Sequence, residues 1–407
     1  MMIILPKTKF MRILHSIILY SVLLTTISAC TKQSDYKKYL GNGEILYTGK
    51  ADSLLVHAGR NRVQLSWLLI SDPKISRAKI YWNNHKDSAM LDIKRTSGVD
   101  TIRYFISNLE ERAYTFEVYN YDRDGNTSVR SEATGFVYGS FYEEALLTRA
   151  FSNAEMKDGN AEITWTNIDT TGGIIGMQLQ YTTSDNVAHD TIIAAEAEGQ
   201  VTVLNNYLSM SSFRYRTLYI PDKLAVDTFH TPYETKGVKE DITQTYIRNP
   251  GNPFILDDTK PFSGRFGQVK DWQYNTEASK NGTYDNIDGN GRLTMWIWGN
   301  GPITNGKIYQ TFALPAGEYR FEAEASNIDN TLENTWLLVA AGNALPDVDQ
   351  VNTALGAARF VNNNNKYASA AFTLAAPATV TVGFTGTFTN PSEQTIRISK
   401  VLLIRDK

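Results

Sequence analysis

The chain has 407 residues, a formal net charge of −3, 42% hydrophobic residues and a single cysteine. No basic face or stripe stands out, which argues against a nucleic-acid partner, and one cysteine leaves no disulfide to brace a folded unit. Stability must come from hydrophobic cores, and the length suits two to four domains.

The chain opens with Lys7, Lys9 and Arg12, an apolar run from Ile13 to Leu24, and then Ile27-Ser28-Ala29-Cys30. A basic start, a short apolar stretch and small residues are the parts of an export signal, and the stretch is too short for a membrane span. The run ending in Cys30 resembles the bacterial lipobox. That resemblance implies that residues 1–29 are a lipoprotein signal peptide and that Cys30 is acylated, so that lipid alone holds the protein to a membrane. The competing reading is an incidental thiol beside an ordinary secretory cleavage site. Residues 30–44 are polar and aperiodic, as a tether is.

From Ile45 the chain alternates apolar and polar residues in short runs, such as Val63-Gln64-Leu65-Ser66-Trp67 and Tyr114-Thr115-Phe116-Glu117-Val118. A period of two marks half-buried strands, and turn formers such as Gly59-Arg60-Asn61 and Asp122-Arg123-Asp124-Gly125-Asn126 separate them. The pattern repeats: Val63, Leu65 and Trp67 return as Ala161, Ile163 and Trp165 at an offset of 98, and Leu109, Tyr114 and Phe116 return as Leu208, Phe213 and Tyr215 at 99. Two copies of one β-sandwich are expected, at 45–138 and 139–236. Trp67 and Trp165 fall on core positions, and Tyr81-Trp82 puts one aromatic on each face of its strand. The first copy resembles fibronectin type III, through Trp67, Leu109, Tyr114-x-Phe116-x-Val118 and Asp124-Gly125-Asn126. The second departs from it at Phe213 and at Tyr219-Ile220-Pro221-Asp222.

Residues 237–254 carry Pro250, Gly251 and Pro253 among asparagines and read as a linker. Beyond it, residues 255–407 hold four of the seven tryptophans. The stretches Lys307–Ala323, Ala378–Phe384 and Thr395–Leu403 resemble a galactose-binding-like jelly roll, a fold that many carbohydrate-binding modules share. The predicted architecture is therefore all-β: two fibronectin type III-like sandwiches followed by a C-terminal jelly roll.

Taken whole, the chain resembles surface lipoproteins of Bacteroidetes polysaccharide-utilisation systems, and an uncharacterised family whose opening resembles Gly49-Lys50-Ala51-Asp52-Ser53-Leu54 and Gly59-Arg60-Asn61-Arg62-Val63. The resemblance implies capture of an oligo- or polysaccharide outside the cell, on the outer membrane, beside importer components. A sugar site needs flat aromatic faces and a few amide, carboxylate or guanidinium groups. Trp296 and Trp298 are two apart and share a strand face, flanked by Arg292, Asn290, Asn300 and Asn305; Trp272 and Tyr274 share another. Either pair serves as a platform if its face is outward and as core if inward. Trp336, in an apolar run, reads as core, and Asn362–Asn365 as an exposed loop. Asp285, Asp288 and Asn290 offer oxygen ligands for a structural calcium ion, but the run lacks the spacing and distal glutamate of an EF-hand loop, and a solvated turn is the better account; no other cofactor is expected. No nucleophile elbow, zinc motif or phosphate loop occurs, so a non-catalytic role is expected. The alternative is an adhesion or structural lipoprotein that binds a protein partner through its fibronectin-like units.

Overall fold

The computed structural model describes residues 11–12, 15–18, 46–70, 72–167, 169–195, 200–299, 301–390 and 392–406. Cys30 and the tether lie outside them. No described helix is long and apolar enough to cross a membrane.

The chain divides into two compact units. The first, up to Ser140 together with Leu224–Asp227, is a sandwich of seven strands. These are β1 (Asp52–Ala58), β2 (Arg62–Leu69), β3 (Ile75–Trp82), β4 (Asp87–Asp92), β5 (Asp100–Ser107), β6 (Ala113–Asp122) and β7 (Ser131–Phe136). They pair as β1-β2-β5 and β4-β3-β6-β7, the two-sheet partition of a fibronectin type III sandwich. Val63, Leu65 and Trp67 on β2 point inward against Ile80, Phe116 and Val118, all with 1% exposure or less. Asp227 accepts from Arg60 N at 2.8 Å and from Arg62 Nε at 2.9 Å, closing the Leu224–Asp227 segment onto this unit.

The second unit, Phe141–Lys223 with Thr228–Lys407, holds a second sandwich and a jelly roll. The sandwich strands are β8 (Phe151–Lys157), β9 (Asn160–Trp165), β10 (Ile174–Thr182), β11 (Ala188–Ala194), β12 (Val201–Leu204), β13 (Ser212–Tyr219), β14 (Phe229–His230) and β15 (Glu234–Gly237). The sheets are β12-β9-β8 and β11-β10-β13, with β14 and β15 both paired to β13. The internal repeat is thus a repeat of structure. Its departures are local. Phe213 is buried without a hydroxyl, and the next inward residue, Tyr215, donates to Arg149 O at 2.9 Å. The last strand is broken between β14 and β15 at Pro232, which has no N–H to give the ladder.

Residues 237–254, expected as a linker, are packed chain. Val238 is buried in the sandwich core, Lys239 exchanges backbone hydrogen bonds with β8, and β16 (Glu240–Asp241) then pairs with the last strand of the jelly roll. A short helix, α1 (Thr243–Tyr246), follows. Turn formers give this stretch a connector's composition, but Ile242, Ile247 and Phe254, at 1–2% exposure, join the jelly-roll core.

The jelly-roll strands are β17 (Phe266–Gly267), β18 (Gln273–Tyr274), β19 (Tyr284–Ile287), β20 (Asn290–Ile297), β21 (Ile303–Leu314), β22 (Gly317–Asp329), β23 (Asn334–Ala341), β24 (Gly356–Phe360), β25 (Tyr367–Leu374), β26 (Ala378–Phe388) and β27 (Gln394–Arg405), with α2 (Thr276–Ser279) after β18. One sheet runs β17-β19-β20-β27-β22-β25 with β16 on β27, and the other β18-β21-β26-β23-β24. Most connections cross between the sheets, and the apolar residues of both inner faces form one core. On the outer face of the five-stranded sheet, Leu338 and Ala340 are covered by Leu345, Val351 and Ala354 of the following loop. Trp336 belongs to this outer cluster and is half-buried, with the Arg359 guanidinium 5.8 Å from its ring, so it is not part of the main core.

Candidate functional site

The structure separates the aromatic residues that the sequence grouped. Trp272 is 4% exposed, donates Nε1 to Asn249 O at 2.9 Å, and packs edge-on to Phe254. Tyr274 is half-buried against the same core, and burial raises its pKa. This pair faces inward because the 243–254 segment, read as a linker, folds over it and supplies the covering atoms. The platform expected at Trp272 and Tyr274 is therefore absent.

On β20, Leu293, Met295 and Ile297 enter the core, which turns Arg292, Thr294 and Trp296 to the outer face. Trp296 is nonetheless covered, stacked on Phe266 at 4.4 Å and 25°. Trp298, just past the strand, is 71% exposed. Arg292 donates Nε to Ser326 Oγ at 3.1 Å and Nη1 to its neighbour's carbonyl, a structural use of its guanidinium. Asn290 bonds Asp288 O, Asn305 Oδ1 accepts from Val348 N, and Asn300 lies outside the described residues. Asp285, Asp288 and Asn290 do not converge on one point. Asp285 is held between Arg397 and Arg265, while Asp288 and Gly289, at φ 52° and 74°, form the turn between β19 and β20. Among the described residues, no three His, Cys, Asp or Glu side chains gather to hold a metal ion.

What the fold does assemble is a cavity of about 410 Å³ where the segment after α1 crosses the end of β21. Its floor is Gln310, 7% exposed, which donates Nε2 to Arg248 O at 2.6 Å and accepts from Arg248 N at 3.1 Å. Its aromatic wall is Tyr246 and Phe312, with ring centroids 5.5 Å apart and planes at 42°. Tyr246 Oη reaches Met210 Sδ at 3.2 Å, which fixes the ring. Gln244, Arg248, Asp271 and Gln273 also line it and are exposed. Asp271 and Gln273 are the neighbours of Trp272, turned outward because the indole is turned in. The alternation at 270–274 was legible in the sequence; which phase faced solvent was not. Residues 244–248 and 310–312, read as linker and strand, carried no signal of a site, since they meet only in the fold.

The cavity offers an aromatic surface for C–H groups, hydrogen-bond donors in Arg248 and the glutamines, and acceptors in Asp271 and the same amides. Its volume lies in the usual range for a small-molecule site, about 300–1,000 Å³.

Two family models match the chain, each described as a domain of unknown function: DUF4998 over residues 30–229 and DUF5013 over residues 248–383. No curated protein matches. Among solved structures, the FN1–FN3 domains of chicken CNTN1 match at 12% identity and a TM-score of 0.29, over 48% of this chain and 68% of that one. The two-domain fibronectin type III segment of chicken tenascin matches at 11% and 0.19, over 46% and 97%. The chicken interferon gamma receptor alpha chain matches at 10% and 0.20, with the same two coverages.

Proposed function

We propose that this protein is a non-catalytic, lipid-anchored surface protein that captures glycan through its jelly roll, in the manner of Bacteroidetes polysaccharide-utilisation lipoproteins, with importer components as its partners. The observation that carries the reading is the 410 Å³ cavity, which sets the aromatic pair Tyr246 and Phe312 beside Arg248, Asp271 and Gln273. A hydroxyl both donates and accepts, and a sugar ring has an apolar C–H face. A sugar can therefore engage all three kinds of group at once. Attachment through acylated Cys30 on the outer membrane, facing outward, is the membrane part of the proposal.

The test is affinity electrophoresis of the purified full chain through gels carrying galactomannan, xyloglucan, mixed-linkage β-glucan or mucin, beside Arg248→Ala and Gln273→Ala. Both substituted residues are exposed, so the fold should survive. Retardation by one polysaccharide, weakened in both variants, supports glycan capture at this cavity. Free migration through every gel refutes it and favours adhesion to a protein through the fibronectin-like units. For the anchor, labelled palmitate should enter the wild-type chain and not Cys30→Ser; label in neither would refute acylation.

A further inference from the structure

One contact that shapes the cavity comes from outside the jelly roll. Between β12 and β13 of the second sandwich, Leu208–Ser211 form a turn closed by Ser211 N on Leu208 O at 3.1 Å. Met210 in this turn packs against the jelly-roll core, and its Sδ is the acceptor for Tyr246 Oη at 3.2 Å.

Two side chains of opposite charge on the jelly-roll sheet grip the same turn. Glu240 on β16 and Arg405 on β27 are partners in the ladder. Glu240 accepts from Ser209 Oγ at 2.6 Å and from Met210 N at 2.8 Å, while Arg405 donates Nη1 to Ser211 O at 3.1 Å. Hydrogen bonds to ionised groups are the stronger ones, and these three leave the turn little freedom. Met210 has φ +58°, a left-handed conformation that Gly or Asn adopts at lower cost. A turn that needed only this backbone would be served by either. Methionine adds a side chain that reaches Tyr246 and a thioether that accepts its hydroxyl.

We propose that Met210 is a positioning residue for the cavity, so that the second sandwich is part of the binding unit. It acts through Tyr246, the ring that forms the aromatic wall with Phe312. With its hydroxyl tied to the sulfur, the ring holds one orientation before a sugar arrives, and less entropy is lost on binding. The inference rests on the glycan reading of the cavity.

The experiment titrates the full chain calorimetrically with an oligosaccharide cut from the polysaccharide of the gel panel that retards it. Met210→Leu keeps the apolar volume and removes the sulfur, and Tyr246→Phe keeps the ring and removes the hydroxyl. Each should weaken binding by about threefold or more. The double variant should bind no more weakly than the worse single one, because both changes remove the same bond. A merely structural role for Met210 would not produce that coupling. Thermal unfolding checks each fold, and Glu240→Gln, which loses one of the two bonds from the turn, replaces Met210→Leu in the cycle should that variant prove unstable. Wild-type affinity in the Met210 or Glu240 variant, or losses that simply add, overturns the positioning role and leaves the glycan reading standing. If no polysaccharide in the panel binds, the glycan reading falls and this inference with it.

Discussion

Arg397 Nε lies 2.8 Å from Asp285 Oδ2, and the aspartate side chain is 1% exposed. Arg265 Nε stands 3.0 Å from the other oxygen, and Arg397 Nη1 reaches Asp329 Oδ2 at 2.7 Å. Asn327 extends the chain of bonds from Asp329 to Asn363, which ties the asparagine-rich 362–365 loop to the seven-stranded sheet. Removing one member of a buried pair leaves the other charged and unpaired, at a cost of about 3–5 kcal/mol. Arg397→Ala should therefore lose about 3 kcal/mol in urea unfolding, and Asp285→Ala a comparable amount. The double variant should lose clearly less than the sum; simple additivity would show that the pair is not coupled.

The two core tryptophans differ in one hydrogen bond. Trp165 donates Nε1 to Thr202 Oγ1 at 2.9 Å, whereas the buried Nε1 of Trp67 has no partner within hydrogen-bond reach. Phenylalanine at either position removes similar area, but only at Trp165 does it strand a buried hydroxyl. Trp165→Phe should be the more costly by about 1 kcal/mol. Melting temperatures of the two variants decide it, and equal losses would contradict the assignment.

Trp272 and Trp298 occupy opposite extremes. Trp272→Ala empties core volume and should destabilise by about 3–5 kcal/mol, while Trp298→Ala, at a site 71% exposed, should stay within about 0.5 kcal/mol of wild type. Acrylamide should quench a fluorescence component that disappears in Trp298→Phe. An unchanged quenching curve would place Trp298 elsewhere than on the surface.

Asp190 has its carboxyl pKa lowered by the Gln178 and Gln180 hydrogen bonds. A carboxylate with a depressed folded pKa stays ionised above the unfolded value of about 3.9, and the stability it lends is lost only as pH falls through the folded value. The bonds from Gln178 and Gln180 to Asp190 should accordingly persist at every pH above about 4 and be lost only below it. The side-chain amide resonances of Gln178 and Gln180 followed from about pH 7 to about 3 would measure the profile; a change between about pH 7 and 5 would contradict it.

At Gly173, φ is +82° and an added Cβ would clash with Ile220 O. Gly173→Ala should destabilise the second sandwich by more than the about 1 kcal/mol of an ordinary left-handed position. A chevron or equilibrium urea curve matching wild type would show that the backbone relaxes at no cost.

Much of the architecture could be read from local pattern. Period-two alternation located the strands, and the 98–99 residue repeat identified two copies of one sandwich, because each strand buries every second side chain and the copies bury equivalent ones. Alternation fixes which residues share a face without saying which face is wet. That is decided by what packs on top, and at Trp272 the covering comes from residues 243–254, whose turn-rich composition gave no hint that Ile247 and Phe254 would be buried. Phe266 covers Trp296 in the same way from outside the strand. The candidate cavity draws its lining from segments distant in the sequence: Tyr246 with Phe312, and Arg248 with Gln310. The sequence by itself determined the sandwiches, their repetition and the alternation within each strand, since those follow from nearest-neighbour geometry. Only the tertiary structure decided which aromatic faces were buried and where amide, guanidinium and carboxylate groups met, because those depend on contacts between segments far apart along the chain.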